Sequence, residues 1–332
     1  MQRRARSRGC ETRPVRDAGR KVLTIKIAAR GSDLALCQAG LVARALVAAA
    51  TPAGGAVGGI RTEIVVVETA GDRQRDRPIG AIGGQGVFVK EVEQAVLDGR
   101  ADIAVHSAKD LPSVSETGGL DIVAVPKRAD ARDALVGRRL AELGPGAHVA
   151  TGAPRRRAQL AWLRPDLRFE ELRGNIATRL GKVPADGAVV VAYAALERLG
   201  LEGLAAEVLP VSTMLPQVGQ GALAIQCRHG DAVTARVVRR LDDADSHRCL
   251  DAERSFLAEL AGGCDLPVGA HAVVLPDGGL ELRGLVASLD GVVLLRRTMK
   301  GPSGPAIGRA LAREILDRCG GAEVLDASTA LA

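Results

Sequence analysis

Aromatic side chains are nearly missing from this 332-residue chain, which holds one Trp, one Tyr and three Phe. Without them there is no platform on which single-stranded nucleic-acid bases could stack. Lysine is scarce too, seven residues against 38 Arg. Guanidinium forks suit bidentate capture of carboxylates and phosphates, so where the arginines fall matters more than how many there are. The formal net charge is +6, yet the first twenty residues alone hold seven Arg against one Glu and one Asp. The remaining chain carries about +1, which removes the main support for general nucleic-acid binding.

No two of the six cysteines (Cys10, Cys37, Cys227, Cys249, Cys264, Cys319) form a C-x-x-C pair, and the five His are scattered. A zinc or other metal site therefore has no sequence support. Irregular cysteine spacing in so long a chain argues against a disulfide framework and for a reducing, cytoplasmic setting. Long apolar runs are absent as well. The longest uncharged stretch, 208–227, is broken by Pro210, Pro216, Gln217, Gln220 and Gln226, so it does not read as a membrane span. The N-terminal arginines precede no apolar segment, unlike a secretory signal, and residues 1–20 are expected to be a disordered basic extension.

What is present is the balance of a globular protein, 47% hydrophobic and 25% charged, at a length suited to two or three domains. Strand patterns at 24–28, 62–68, 102–106 and 121–125 alternate with helical periodicity at 34–48, where Ser32 can cap, and at 87–97. A second run follows. Strands at 147–150, 169–172 and 188–192 alternate with helices opening at Pro154, near Asn175 and at Tyr193, the last running to Leu199. Such alternation predicts parallel sheets. The tail differs, with a helix at 250–260, strands at 270–275 and 280–287 joined by Asp277-Gly278-Gly279, a strand at 292–299 and a helix at 306–319. It predicts a small α+β domain with a hairpin.

Ligands of open parallel sheets bind beyond the carboxyl ends of strands. Those ends here carry Arg30-Gly31-Ser32, then Thr69, Gly71 and Asp72, then Ser107, Lys109 and Asp110. In the second run they carry Arg155-Arg156-Arg157, Arg173-Gly174-Asn175 with Arg179, and Arg198 one helix later. Arginine is not favoured at a helix N-terminus by the helix dipole. Several there make sense around an anion held by guanidinium forks and free backbone N–H groups. The expected ligand is a polyanion in a basic cleft that also contains Asp110. Taken singly, each Arg is more often a solvated group or a structural ion pair, and Asp110 and Asp72 could be turn residues. Gly83-Gly84-Gln85-Gly86 and Gly219-Gln220-Gly221 fit no nucleotide-binding pattern; they read as a loop or lid and a hinge. A two-lobed binding module for a small anion is the alternative to an enzyme.

Taken in order, several motifs resemble the porphobilinogen deaminase (hydroxymethylbilane synthase) family. They are Ala29-Arg30-Gly31-Ser32-Asp33-Leu34-Ala35-Leu36, Ala104-Val105-His106-Ser107-Ala108-Lys109-Asp110-Leu111-Pro112, Leu172-Arg173-Gly174-Asn175 with Thr178-Arg179-Leu180, Leu215-Pro216-Gln217-Val218-Gly219-Gln220-Gly221-Ala222, and Glu253-Arg254 followed by Gly262-Gly263-Cys264. The resemblance spans about residues 22–325. It implies an α/β fold of two periplasmic-binding-protein-like lobes around a cleft, plus a small C-terminal α+β domain. The implied bounds are 22–126 with 217–240, then 128–216, then 242–330.

The implied reaction joins four porphobilinogen molecules head to tail with loss of ammonia, giving hydroxymethylbilane, on a dipyrromethane cofactor attached through Cys264. The implied catalytic residue is Asp110, beside pyrrole N–H groups and the positive charge that develops as ammonia leaves. Cofactor contacts fall to Lys109, Arg155, Arg156 and Arg173, and substrate contacts to Arg30, Ser32, Gln38, Arg179 and Arg198. The implied partner is a polycarboxylate small molecule, with no nucleic acid and no membrane, acting on a cytoplasmic monomer. The chain departs from the family pattern in two places. Ala81 and Gln85 stand where many members have lysines, and Gly152-Ala153-Pro154 stands where many have serines before the Arg pair.

Overall fold

The computed structural model describes residues 22–50, 59–69, 86, 89–113, 118–260 and 266–330. Strand β1 (Leu23–Arg30) shows how the sequence builds the first layer. Ile25, Ile27 and Ala29 face a core shared with Ala39, Val42, Leu46 and Ala50 of α1 (Asp33–Ala50), while Ala28 faces Val92, Ala95 and Val96 of α2 (Lys90–Leu97). Two-residue alternation thus serves both faces of a sheet sandwiched by helices. Ser32 stands at the head of α1, its Oγ accepting from the Ala35 N–H at 3.4 Å. Helix α1 is long and apolar enough to cross a bilayer by composition alone, but it packs a face containing Gln38, Ala39, Val42, Leu46 and Ala50 onto this sheet.

The first sheet is completed by β2 (Ile60–Val67), β3 (Ile103–Ser107), β4 (Leu120–Ala124) and β10 (Leu223–Arg228), in the order β2-β1-β3-β10-β4. The second contains β5 (Asp133–Gly137), β6 (His148–Ala150), β7 (Arg168–Glu170), β8 (Ala188–Ala192) and β9 (Ala205–Leu209), in the order β7-β6-β8-β5-β9. Its middle strand β8 is buried throughout. Ala188 and Val190 pack with Leu160 of α3 (Pro154–Leu163), and Val189 and Val191 pack with Leu172 and Leu196 on the other face.

The expectation of parallel sheets holds only in part. β1, β2 and β3 are parallel, as are β6, β7 and β8. β10 is antiparallel to both β3 and β4, and β5 is antiparallel to both β8 and β9. The reason is topological. The chain leaves the first sheet after β4, builds the second, and returns through residues 210–222 to insert β10 running the opposite way. Local strand–helix alternation reports crossovers within a lobe and is blind to a strand arriving from the other one. β5, β9 and β10 were not anticipated from the sequence.

The C-terminal sheet is fully antiparallel, β11 (Val268–Val274), β12 (Leu280–Ala287) and β13 (Leu294–Gly301). The expected Asp-Gly turn joins the first two, with Gly278 at φ 81° and the Gly279 N–H donating to Asp277 Oδ1 at 2.8 Å. Two helices follow β10, α6 (Ala232–Val238) and α7 (Ala244–Glu259). Helix α7 crosses one face of this sheet, and Phe256 sits so close to Gly284 that a Cβ there would lie 2.7 Å from its ring. The last expected helix is interrupted. An α-helix over Gly304–Arg313 passes into one π-type turn, Glu314–Arg318, a widened turn that periodicity does not reveal.

Candidate active site

The carboxyl ends of β1 and β3 lie side by side and bring Arg30-Gly31-Ser32 next to Ser107-Ala108-Lys109-Asp110. Ser107 is the junction. Its Oγ accepts from Gln38 Nε2 at 2.8 Å, so buried Gln38 on α1 fixes the end of β3. The chain then makes one tight turn, Ala108–Asp110, that leaves Lys109 and Asp110 half-buried. The Asp110 carboxylate accepts no hydrogen bond among the described residues, so it does not cap the turn. From the return segment, Gly219, at φ 72°, packs directly on this turn; a Cβ there would lie 2.9 Å from the Ala108 carbonyl carbon. Only glycine combines that backbone conformation with so close an approach.

The second lobe supplies arginines of different standing. Arg155 and Arg156, in the first turn of α3, are both buried and converge on one carboxylate, Asp133 at the start of β5. Arg155 Nη1 donates to Asp133 Oδ2 at 2.8 Å and to the Leu215 carbonyl at 2.6 Å. Arg156 Nε donates to Asp133 Oδ1 at 3.0 Å, and its Nη1 to the Val190 carbonyl at 3.0 Å. Gln220 Nε2, in the return segment, adds a third donor to Asp133 at 2.9 Å. Burial pushes the Asp133 carboxyl up, but the two guanidiniums outweigh it and hold it well below the usual carboxylate range. Arg155 and Arg156 thus both have a framework attachment that the sequence did not reveal.

Arg179 sits on the short helix α4 (Ile176–Leu180), which Asn175 caps by accepting from the Thr178 N–H at 2.9 Å. Its Nε donates to the Gly174 carbonyl at 2.8 Å. The structure brings Lys109, Asp110, Arg156 and Arg179 into one electrostatic group. Burial pushes Lys109 down to about 8, with Asp110 and Asp133 opposing the fall and Arg156 and Arg179 adding to it. Arg179 is likewise lowered, by burial and then by Arg156, against Asp110. Cations held this close and partly out of water form a receptor for an anion.

Two other expected arginines have partners of their own. Arg198, at the end of α5 (Tyr193–Leu199), donates Nη2 to the Gly221 carbonyl at 2.7 Å. Its own carbonyl accepts from Cys37 Sγ at 2.8 Å, joining the lobes. Arg173 is exposed and pairs with Glu171 at 3.0 Å. Cys264, Asp72, Ala81 and Gln85, and the extension 1–20, lie outside the described residues.

Sequence reasoning missed Asp133, although an acid opening the apolar run Ala134-Leu135-Val136 was its signal. It also missed the buried pair Arg128–Glu253. Arg128 donates to both Glu253 oxygens, at 2.6 and 3.1 Å, and its Nε to the Gln220 carbonyl at 2.9 Å. Glu253, fully buried on α7, also accepts from the N–H groups of Gly219 and Ala272, each at 2.8 Å.

Comparison with known proteins gives consistent matches. Residues 25–236 match the family model described as "Porphobilinogen deaminase, dipyromethane cofactor binding domain", and residues 247–317 match "Porphobilinogen deaminase, C-terminal domain". The chain is 43% identical over 300 residues to a porphobilinogen deaminase of Syntrophobacter fumaroxidans, covering 88% of this chain and 94% of that one. It is 44% identical over 314 residues to the protein of the same name from Acidothermus cellulolyticus, covering 91% of each. Among solved structures, lipoprotein Tp32 from Treponema pallidum is 13% identical over 68% of this chain and 92% of that one, with a TM-score of 0.40.

Proposed function

This chain belongs to the porphobilinogen deaminase family and is an enzyme that polymerises porphobilinogen in tetrapyrrole synthesis, and we propose that Asp110 is its catalytic residue. The family domain binds a dipyrromethane cofactor. The observation that carries the reading is the group Lys109, Asp110, Arg156 and Arg179 between two lobes, in which Asp133 is taken up by Arg155 and Arg156 while Asp110 accepts no hydrogen bond among the described residues. A growing chain of pyrroles bearing acetate and propionate groups is a polyanion with N–H donors along one edge. The cations fit its carboxylates and Asp110 fits its N–H groups.

The cofactor, when bound, supplies the pyrrole carbon to which the first substrate is joined. The chain's own residues hold the rest. Lys109, Arg156 and Arg173 are assigned to cofactor carboxylates, with Arg155 as the buttress that fixes Asp133 and so aims Arg156. Arg30, Ser32, Arg179 and Arg198 are assigned to the incoming substrate, and Gln38 acts by holding Ser107. As ammonia leaves, positive charge develops on the substrate pyrrole. The Asp110 carboxylate is assigned to offset that charge and to hold the proton that rearomatisation releases. Four units are joined, and linear hydroxymethylbilane is released.

Cys264 is assigned as the attachment point through a thioether, which resists hydrolysis while product departs. The lobes are assigned as 22–126 with 217–240 and as 128–216, and the C-terminal domain as 242–330. A cytoplasmic setting fits the four described cysteines, Cys37, Cys227, Cys249 and Cys319, all of which are unpaired. A monomer is assigned, as the resemblance to the family implies.

Intact-protein mass spectrometry tests the attachment. The purified protein is expected to be heavier than its sequence by two linked pyrrole units, with the added mass on the peptide containing Cys264. Cys264→Ser should lack that mass and be inactive. An unmodified protein that makes hydroxymethylbilane overturns the assignment, and an unmodified, inactive one favours a binding module.

A further inference from the structure

Beneath the cleft, a polar chain runs through an otherwise apolar layer. β1 and β3 pair in parallel with Ala28 beside Ala104, and continuing that register two residues places Arg30 beside His106. On the other side of β3, His106 pairs with Ala224 and Ala104 with Gln226 of β10. Ala28 and Ala104 share a core with α2, so by alternation Arg30, His106 and Gln226 lie on that same face. The two alanines leave room there, and Gln226 fills it. Gln226 is buried and donates Nε2 to Glu93 Oε1 of α2 at 3.0 Å. Its Oε1 and His106 Nε2 are both buried and neither makes a hydrogen bond of ordinary geometry, but the Gln226 side chain acts on the imidazole electrostatically, a complementary acceptor and donor on one face of the layer. His106, Gln226 and Glu93 have no part in the reaction described above.

We propose that His106 is a positioning residue: braced by Gln226 and Glu93, its imidazole sets the direction in which Arg30 presents its guanidinium to substrate carboxylates. The inference rests on the assignment of Arg30 to substrate. Burial keeps the imidazole neutral, pushing it down to about 4, with Gln226 opposing and Arg30 adding to the fall. A neutral ring can lie against a guanidinium or offer it a lone pair, whereas a second cation would repel it. Because His106 lies one residue before Ser107, the same brace steadies the start of the Lys109–Asp110 turn.

The test uses the full chain carrying its cofactor, with cofactor content checked by mass. His106→Leu should raise KM for porphobilinogen about tenfold, as expected for a misaimed charged hydrogen bond, with kcat changed less than about twofold. His106→Asn, which keeps a neutral donor and acceptor, should recover most of the loss. In a cycle with Arg30→Ala, the double variant should be no worse than Arg30→Ala alone. An unchanged KM in His106→Leu, or a loss that multiplies with that of Arg30→Ala, overturns the proposal. If Arg30→Ala itself leaves KM unchanged, it is the assignment of Arg30 that fails. Should His106→Leu not fold, Gln226→Met replaces it, with the same rise in KM expected and an unchanged KM overturning the brace.

Discussion

Glu253 grips Arg128 with both carboxylate oxygens, at 2.6 and 3.1 Å, and does so where neither side chain is more than 11% exposed. Glu253 belongs to α7 of the C-terminal domain, and Arg128 lies on the outgoing segment between the lobes. The same carboxylate holds Gly219 on the returning segment. One acid therefore pins both strands of the connection between lobes to the third domain.

Breaking such a pair leaves an unmatched buried charge. Glu253→Ala is expected to lower the unfolding free energy by about 3–5 kcal/mol. Replacing both residues by methionine should cost clearly less than the single change. Urea unfolding of the wild type and the two variants checks this, and a loss under about 1 kcal/mol in Glu253→Ala would show that the contact is idle.

Asp133 carries a distinct prediction, because its carboxyl is held below its ordinary value of 3.8. A depressed folded-state value means that the contribution is complete above the unfolded value and is lost as pH falls through the folded one. Wild-type protein should keep this contribution in mild acid and surrender it only below about pH 4. Asp133→Asn should be less stable by about 3–5 kcal/mol near neutrality, with a flatter stability profile in that acid range. Parallel slopes for the two proteins would contradict the assignment.

Asp110→Asn separates chemistry from folding. Asp110 is half-buried in a tight turn and accepts no hydrogen bond among the described residues, so the neutral isostere should unfold within about 0.5 kcal/mol of wild type. Removing the charge from beside a developing cation should lower kcat by about 100- to 1000-fold. Full turnover in a folded Asn variant would end the case for Asp110.

Lys109 links affinity to pH. Without ligand it titrates near 8, and a bound carboxylate favours its protonated form. Binding of the cofactor carboxylates should therefore take up protons above pH 8, and the concentration of porphobilinogen needed to assemble the cofactor on the apoprotein should rise as pH climbs through that value. Lys109→Arg should flatten that rise, because a guanidinium stays charged. A variant with the same alkaline limb as wild type would place the titration elsewhere.

How far the sequence carries differs between parts of the molecule. Helix α5 and strand β8 were legible to the residue, because Ala188–Ala192 is a short apolar run and Gly200, at φ 67°, ends the helix after Leu199. β10 was not, since Leu223–Arg228 looks like any short apolar segment until β3 and β4 come to lie on either side of it. The site divides in the same way. Lys109 and Asp110 announce themselves by following a strand. Arg155 and Arg156 share that signal, but only the fold reveals their common carboxylate, because Asp133 sits some twenty residues away on another strand.

The late insertion of β10 has a consequence for synthesis. The second sheet uses one continuous stretch, from Asp133 to Leu209. The first lacks its fourth strand until Arg228 has left the ribosome, and until then β3 and β4 both present open edges. The lobe encoded second therefore closes first, and the amino-terminal half of the nascent chain waits with unpaired strand edges, the feature through which growing chains associate.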